Sequence, residues 1–284
     1  VQTCALPIWA SYACYSQNMD VRVHEDMLLH TRLKEALATG ALELHYQPQV
    51  DVESGNVTGA EALLRWQDPV LGDVTPSRFI PVAEATGLIL PLGDWVLETA
   101  CRQIATWTRI GLPVRVAVNF SAQQFRRFDL ADKVRAVLER TGAQAQWLDI
   151  EITESMAMTQ PEQARKQLEA LVALGCSVAL DDFGTGYSSL AYLKTLPVSK
   201  LKIDKSFMDG IPHDGNDVAI SRAIIALAHS LGLTLVAEGV ETDAQLAFLR
   251  QYGCETYQGW LFAKAMPAEA MTQRMSDWAP LSGF

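Results

Sequence analysis

Cysteine is scarce and unpaired in this sequence: five residues, at 4, 14, 101, 176 and 254, an odd number with no Cys-x-x-Cys spacing. That excludes a disulfide framework and a zinc knuckle, and makes a reducing cytoplasm the expected compartment. Long apolar runs are also lacking. The best candidate, AIIALAHSLGLTLVAEGV, is broken by His229, Ser230 and Glu238, whereas a membrane helix needs about 18 unbroken apolar residues. Positive charge is in deficit: 23 basic residues against 33 acidic leave a net −10. No broad cationic surface is therefore available for a nucleic-acid polymer, and a phosphate ligand would take most of its counter-charge from metal ions. The five histidines show no ligand spacing. The opening VQTCALPI has neither the basic residues nor the apolar core of a signal peptide. It resembles a translated sequencing adapter, so residues 1–8 carry no structural weight here.

What is present is length and alternation. The 284 residues, 49% of them hydrophobic, suffice for one large core, and a single α/β barrel of about 250 residues fits. Apolar positions 29, 33, 36 and 37 predict a lead-in helix ending at Gly40. Beyond it, β-branched runs predict strands at 42–50, 56–66, 114–121, 148–154, 177–183, 200–206, 233–240 and 255–262. Helical patterns such as PSRFIPVAEAT, PEQARKQLEALVAL and DAQLAFLRQY lie between them. Eight strands with intervening helices predict a (β/α) barrel. Only Asp51 to Gly55 separates the first two strands, too little for a parallel crossover of about a dozen residues. That pair is expected to be an antiparallel hairpin. Residues 1–24 read as an N-terminal segment or linker and 25–280 as one domain.

Polar residues then fall in register. The strands carry, at or near their ends, Glu61 with Arg65, Asn119, Glu151, Asp181 with Asp182, Lys202 with Asp204, Glu238 and Gln258. A lone acid in such a place ordinarily caps a helix or faces water. So many strands carrying polar residues there together is different, because the C-terminal ends of barrel strands meet at one rim. Glu61 and Glu151 also have apolar neighbours, and buried acids need partners. Carboxylates with one amide, and no histidine or cysteine, suit two Mg²⁺ or Mn²⁺ ions and disfavour zinc. Two such ions about 3.5–4 Å apart are the recurrent arrangement for phosphodiester hydrolysis. Asp181 is then expected to bridge them and Asp182 to bind the second. Lys202 and Arg65 are the groups expected at a water and at a phosphate oxygen; a plain salt bridge of Lys202 to Asp204 is the alternative for that lysine.

The ordered set Glu61-Ala62-Leu63-Leu64-Arg65-Trp66, Val118-Asn119-Phe120-Ser121, Glu151-Ile152-Thr153-Glu154, Asp181-Asp182-Phe183-Gly184, Lys202-Ile203-Asp204, Ala237-Glu238-Gly239-Val240-Glu241 and Gln258-Gly259 resembles the EAL domain family over about residues 25–275. The resemblance implies a modified TIM (β/α)8 barrel with an antiparallel first strand. It implies a bacterial phosphodiesterase opening cyclic di-GMP to linear pGpG. Metal ligation is implied for Glu61, Asn119, Glu151, Asp181 and Asp182, with Glu238 either a ligand of the second metal or the general base. Lys202 would orient the attacking water, Gln258 would complete the shell through water, and Gln47, Leu64, Arg65, Asp204 and Glu241 would meet substrate. Glu154 would steady a mobile loop from Phe183 to Leu190 that links substrate and dimer contacts to metal occupancy. Phe120 and Trp260 stand where Leu and Tyr are commoner, and Ala265 where proline is usual; Trp260 is expected to reshape the pocket.

The segment YSQNMDVRVHEDMLLHTRLKEAL is similar to connectors that follow an upstream GGDEF domain. A multidomain cytoplasmic signalling protein is expected, homodimeric, with any membrane tether in a region N-terminal to these residues. The alternative reading is an inactive EAL domain that serves as a cyclic di-GMP receptor. Such proteins usually lose a ligand or the loop-steadying Glu, and here none is lost. The Asp182-Phe183-Gly184 triplet is not a kinase signature, since a His-Arg-Asp loop and a Gly-rich phosphate loop are both missing.

Overall fold

The computed structural model describes residues 17–184 and 190–278. Ten strands are present among them: β1 Leu42–Asp51, β2 Val57–Asp68, β3 Gly72–Val74, β4 Arg115–Asn119, β5 Leu148–Thr153, β6 Ser177–Phe183, β7 Lys200–Ile203, β8 Thr234–Ala237, β9 Thr256–Tyr257 and β10 Met266–Pro267. Eight of them close into a barrel in the order β1-β9-β8-β7-β6-β5-β4-β2, with β2 pairing back to β1. β1 runs antiparallel to both neighbours, and the remaining barrel pairings are parallel. The hairpin expected from the short 51–55 connection is therefore present. β3 and β10 are short antiparallel additions on β2 and β1 that the sequence pattern did not predict.

The strands alternate so that apolar side chains face the surrounding helices and polar ones face the axis. Val116, Val118, Ile150, Ile152, Val178, Leu180, Leu201, Ile203 and Leu235 are at most 1% exposed. They pack with Leu97, Ile104, Trp107, Val134, Leu168, Ile225 and Leu249 from the helices in one core. Burying each such side chain contributes about 1.5–3 kcal/mol relative to leaving it in water. Trp107 lies edge-on to Tyr46, with ring centroids 4.9 Å apart. Cys101, Cys176 and Cys254 are free and buried, behaving as small hydrophobes.

The expected lead-in helix spans Gln17–Thr39 and ends just before Gly40. Leu29, Leu33 and Ala36 seat it on Trp66, Phe79 and Leu92 in a second core. Arg32 holds it there by Nε and Nη2 bonds of 3.0 Å to the buried Asp68. Several predicted ends are corrected: β2 runs on to Asp68, and β4 stops at Asn119 because Ser121 caps the 122–125 helix. β7 stops at Ile203, because Asp204 turns out of the strand to cap the 205–207 turn through Ser206. β8 stops at Ala237, where Glu238 and Gly239 leave the ladder. β9 stops at Tyr257, because Gln258 and Gly259 fold against Val240, whose N–H donates to the Gln258 carbonyl at 3.1 Å. A Cβ at Gly259 would stand 2.0 Å from the Val240 oxygen, so only glycine fits that approach.

Candidate active site

Lys202 sits at the centre of the barrel mouth and is 1% exposed. Its Nζ lies 2.7 Å from Glu238, 2.9 Å from Glu151, 3.0 Å from Asp181 and 3.6 Å from Glu61. These residues come from β7, the end of β8, β5, β6 and β2, so the contacts span the barrel. The alternative pairing of Lys202 with Asp204 is not what forms; Asp204 caps the turn that follows.

Amides complete the arrangement. Asn119, at the end of β4, donates from Nδ2 to Glu61 Oε1 at 2.7 Å. Gln258 donates from Nε2 to Glu61 Oε2 at 2.6 Å and to Gln47 Oε1 at 3.2 Å. Burial raises the Glu61 carboxyl, but the Lys202 charge and those two amides outweigh it and hold the group below its ordinary range. Burial pushes Glu151 well above its usual range, and it lifts Glu238 to about 7. The four surrounding carboxylates carry Lys202 far above an ordinary lysine, against the desolvation that opposes them.

The paired aspartates are resolved by a bulge. Between Leu180 and Phe183 the β6–β7 register gains one residue on β6, and Asp182 takes a φ of +54°. An extra residue breaks the period of two, so adjacent side chains both serve the mouth end. Asp181 reaches Lys202, and its Oδ1 accepts from the Asp182 N–H at 2.9 Å. Asp182 is half-buried and raised, first by desolvation and then by Asp181.

Glu154 is buried at the start of the helix 154–159, and its Oε2 accepts from the Gly184 N–H at 3.2 Å. Gly184 stands at the start of the loop expected at Phe183–Leu190, of which positions 185–189 lie outside the described residues. Leu64 borders a cavity of about 520 Å³ that opens beside Asn119 and is walled by Leu63, Ile80, Leu92 and Met156. Arg65 is half-buried and bonds the Leu64 carbonyl at 2.9 Å; desolvation lowers it from the ordinary arginine range. Glu241 takes Lys205 at 2.6 Å. Trp260 is 59% exposed, with Lys205 5.4 Å and Lys264 4.5 Å from its ring.

Among the described residues no three His, Cys, Asp or Glu side chains are arranged as a metal nest. The donor chemistry of Glu61, Asn119, Glu151, Asp181, Asp182 and Glu238 nevertheless fits hard divalent cations. In the geometry described, the acids turn on Lys202 as their counter-ion. Two residues escaped the reading by motif. Gln49 is buried beside Gln258, and period two from Gln47 along β1 was the signal for it. Asp149 neutralises Arg115 and Lys200 at the other end of the barrel.

Fold and site together define a (β/α) barrel whose acidic side chains gather at one mouth around a buried lysine. The chain belongs to the EAL domain family, whose model matches residues 30–265. It is 46% identical over 261 residues to the bifunctional diguanylate cyclase/cyclic di-GMP phosphodiesterase MucR of Pseudomonas aeruginosa, covering 92% of this chain and 38% of that protein. It is also 46% identical over 260 residues to the cyclic di-GMP phosphodiesterase NbdA of the same organism, covering 91% and 33%. The solved PaMucR phosphodiesterase in complex with c-di-GMP superposes with a TM-score of 0.84 at 48% identity, over 86% of this chain and 99% of that one. The chain spans about a third of the length of the curated relatives it matches. No described helix is long and apolar enough to cross a membrane.

Proposed function

We propose that this chain is a metal-dependent phosphodiesterase that hydrolyses cyclic di-GMP to linear pGpG in bacterial second-messenger signalling. The observation that carries the reading is the convergence of Glu61, Glu151, Asp181 and Glu238 on the buried Lys202, with Asn119 and Gln258 fixing Glu61. Glu61, Asn119, Glu151, Asp181 and Asp182 would hold two Mg²⁺ or Mn²⁺ ions. Bound there, the ions would supply Lewis-acid activation of water and of a phosphate oxygen.

The protein's own groups do the rest. Lys202 keeps its proton and orients the attacking water as a donor. Glu238, raised to about 7, is matched to taking a proton near neutral pH, and it is equally placed to ligate the second ion. Gln47, Arg65, Asp204 and Glu241 meet the polar edges of the dinucleotide, and the apolar cavity beside Leu64 offers a wall for a base. Glu154 steadies the loop after Phe183. The working unit is a homodimer attached to an upstream GGDEF or sensor domain.

Product analysis after incubation with cyclic di-GMP and Mg²⁺ or Mn²⁺, with and without chelator, tests this. Metal-dependent appearance of pGpG is expected. Tight binding without pGpG would instead make the domain a receptor.

A further inference from the structure

Three glutamines cross the barrel interior with their donors all pointing the same way. Gln49 on β1 is 3% exposed, and its Nε2 donates to Gln258 Oε1 at 3.2 Å. Gln258 Nε2 donates to Glu61 Oε2 at 2.6 Å and to Gln47 Oε1 at 3.2 Å. Gln47 Nε2 in turn donates to the Ala263 carbonyl at 3.2 Å. The two ends of an amide have nearly the same shape and opposite hydrogen-bonding character, so its partners alone decide which way it faces. Turned over, Gln258 would set its oxygen against the buried Glu61 carboxylate, leaving two acceptors face to face. Gln49 is held by shape as well: a Cβ on Gly59 would stand 2.7 Å from Gln49 Oε1, so the bare glycine makes the space that this oxygen fills.

We infer that Gln49 is a positioning residue that acts with Glu61 to fix the Gln258 amide, donating to its oxygen so that Gln258 presents N–H firmly to Glu61 and to Gln47. Glu61 is then gripped on one oxygen by Asn119 and on the other by Gln258, with its position set before any cation or substrate arrives. No hydrogen bond joins Gln49 to Glu61; its amide reaches that carboxylate only through Gln258. The inference rests on the proposed function in one respect, the treatment of Glu61 as a metal ligand.

Two readouts on the whole chain test it. The first needs neither metal nor substrate. In chelator-treated protein the Gln258 side-chain amide signals, assigned by their loss in Gln258→Met, are expected to include one proton shifted downfield and slow to exchange. Gln49→Met keeps the length and removes the donor, and should move that proton toward the position of a free amide. Gly59→Ala, which crowds Gln49 from the neighbouring strand, should do the same without replacing either glutamine.

The second readout is titration with Mn²⁺ alone. Gln49→Met should weaken binding about three- to tenfold, the equilibrium shift of one hydrogen bond, and Gln49→Met/Gln258→Met should bind no more weakly than Gln258→Met. An unchanged Gln258 signal in a folded Gln49→Met chain overturns the inference. So does a Gln49→Met effect on Mn²⁺ that persists in full when Gln258 is already gone. If circular dichroism shows Gln49→Met unfolded, Gly59→Ala decides by the same amide signal. Failure to cleave cyclic di-GMP with the amide pattern as expected removes the proposed function and leaves Gln49 in its role.

Discussion

Replacing Lys202 by methionine probes the site most directly, because one buried ammonium balances four carboxylates within 3.6 Å. Removing one partner of a buried ion cluster costs about 3–5 kcal/mol, since the remaining charges stay buried without compensation. At about 2–4 °C per kcal/mol for a domain of this size, metal-free Lys202→Met should melt roughly 6–20 °C below the unsubstituted chain. The pH dependence has a definite sign. The folded pKa of Lys202 is raised, so its contribution is intact below the unfolded value and disappears only as pH climbs through the folded one. It is therefore fully present from pH 5.5 to 8. The variant can relieve its loss by protonating Glu151 and Glu238, which burial already pushes upward. Its deficit should be smaller at pH 5.5 than at pH 8. Divalent ions supply the missing positive charge, so Lys202→Met should bind Mn²⁺ more tightly than the parent while its turnover falls at least about a hundredfold. Thermal unfolding with chelator at both pH values, Mn²⁺ titration and pGpG release measure the three arms. A metal-free melting point within 2 °C of the parent would refute the charge balance from which all three derive.

Three further outcomes follow from separate contacts. In the chelator-treated chain the Glu238 carboxyl, near 7 when folded and about 4.5 when unfolded, binds its proton more tightly in the folded state. Stability from it should fall as pH rises from 4.5 through 7, by no more than about 3 kcal/mol. Glu238→Gln should flatten that slope in melting curves, and identical slopes would remove the assignment. Glu154→Ala takes away the acceptor of the Gly184 N–H; it should lower turnover about tenfold or more with the melting point within a few degrees of the parent, and unchanged kinetics would dismiss the loop-holding role. Gly259→Ala drives a methyl against the Val240 oxygen. It should displace Gln258 and cut turnover about a hundredfold, and a fully active Gly259→Ala protein would mean the turn yields more easily than its packing implies.

How much of this was legible in the residues depends on whether a signal was local. The barrel was: apolar alternation fixed which face of each strand met the helices, and the five residues from Asp51 to Gly55 were too few for anything but a hairpin. The acids of the mouth were legible because strand ends gather there in any such barrel. Strand ends were less so, since the early stop of β9 is imposed by the approach of Gly259 to Val240, one helix earlier in the chain. The twin aspartates show the same limit. Strict alternation would send Asp181 and Asp182 to opposite faces, and nothing in VALDDFGTGY announces the single-residue slip against β7 that brings both to the mouth. Lys202 was named from the sequence as the group at a water, but its place as counter-ion to four carboxylates was not. Lys202 follows Lys200 on the same strand and the same face, yet Lys200 neutralises Asp149 at the floor while Lys202 binds the acids of the mouth. One strand thus delivers a cation to each end of the barrel axis, and each gathers the acids of its own layer. Which of the two meets the acids of the mouth is decided by position along β7, a distance of two residues.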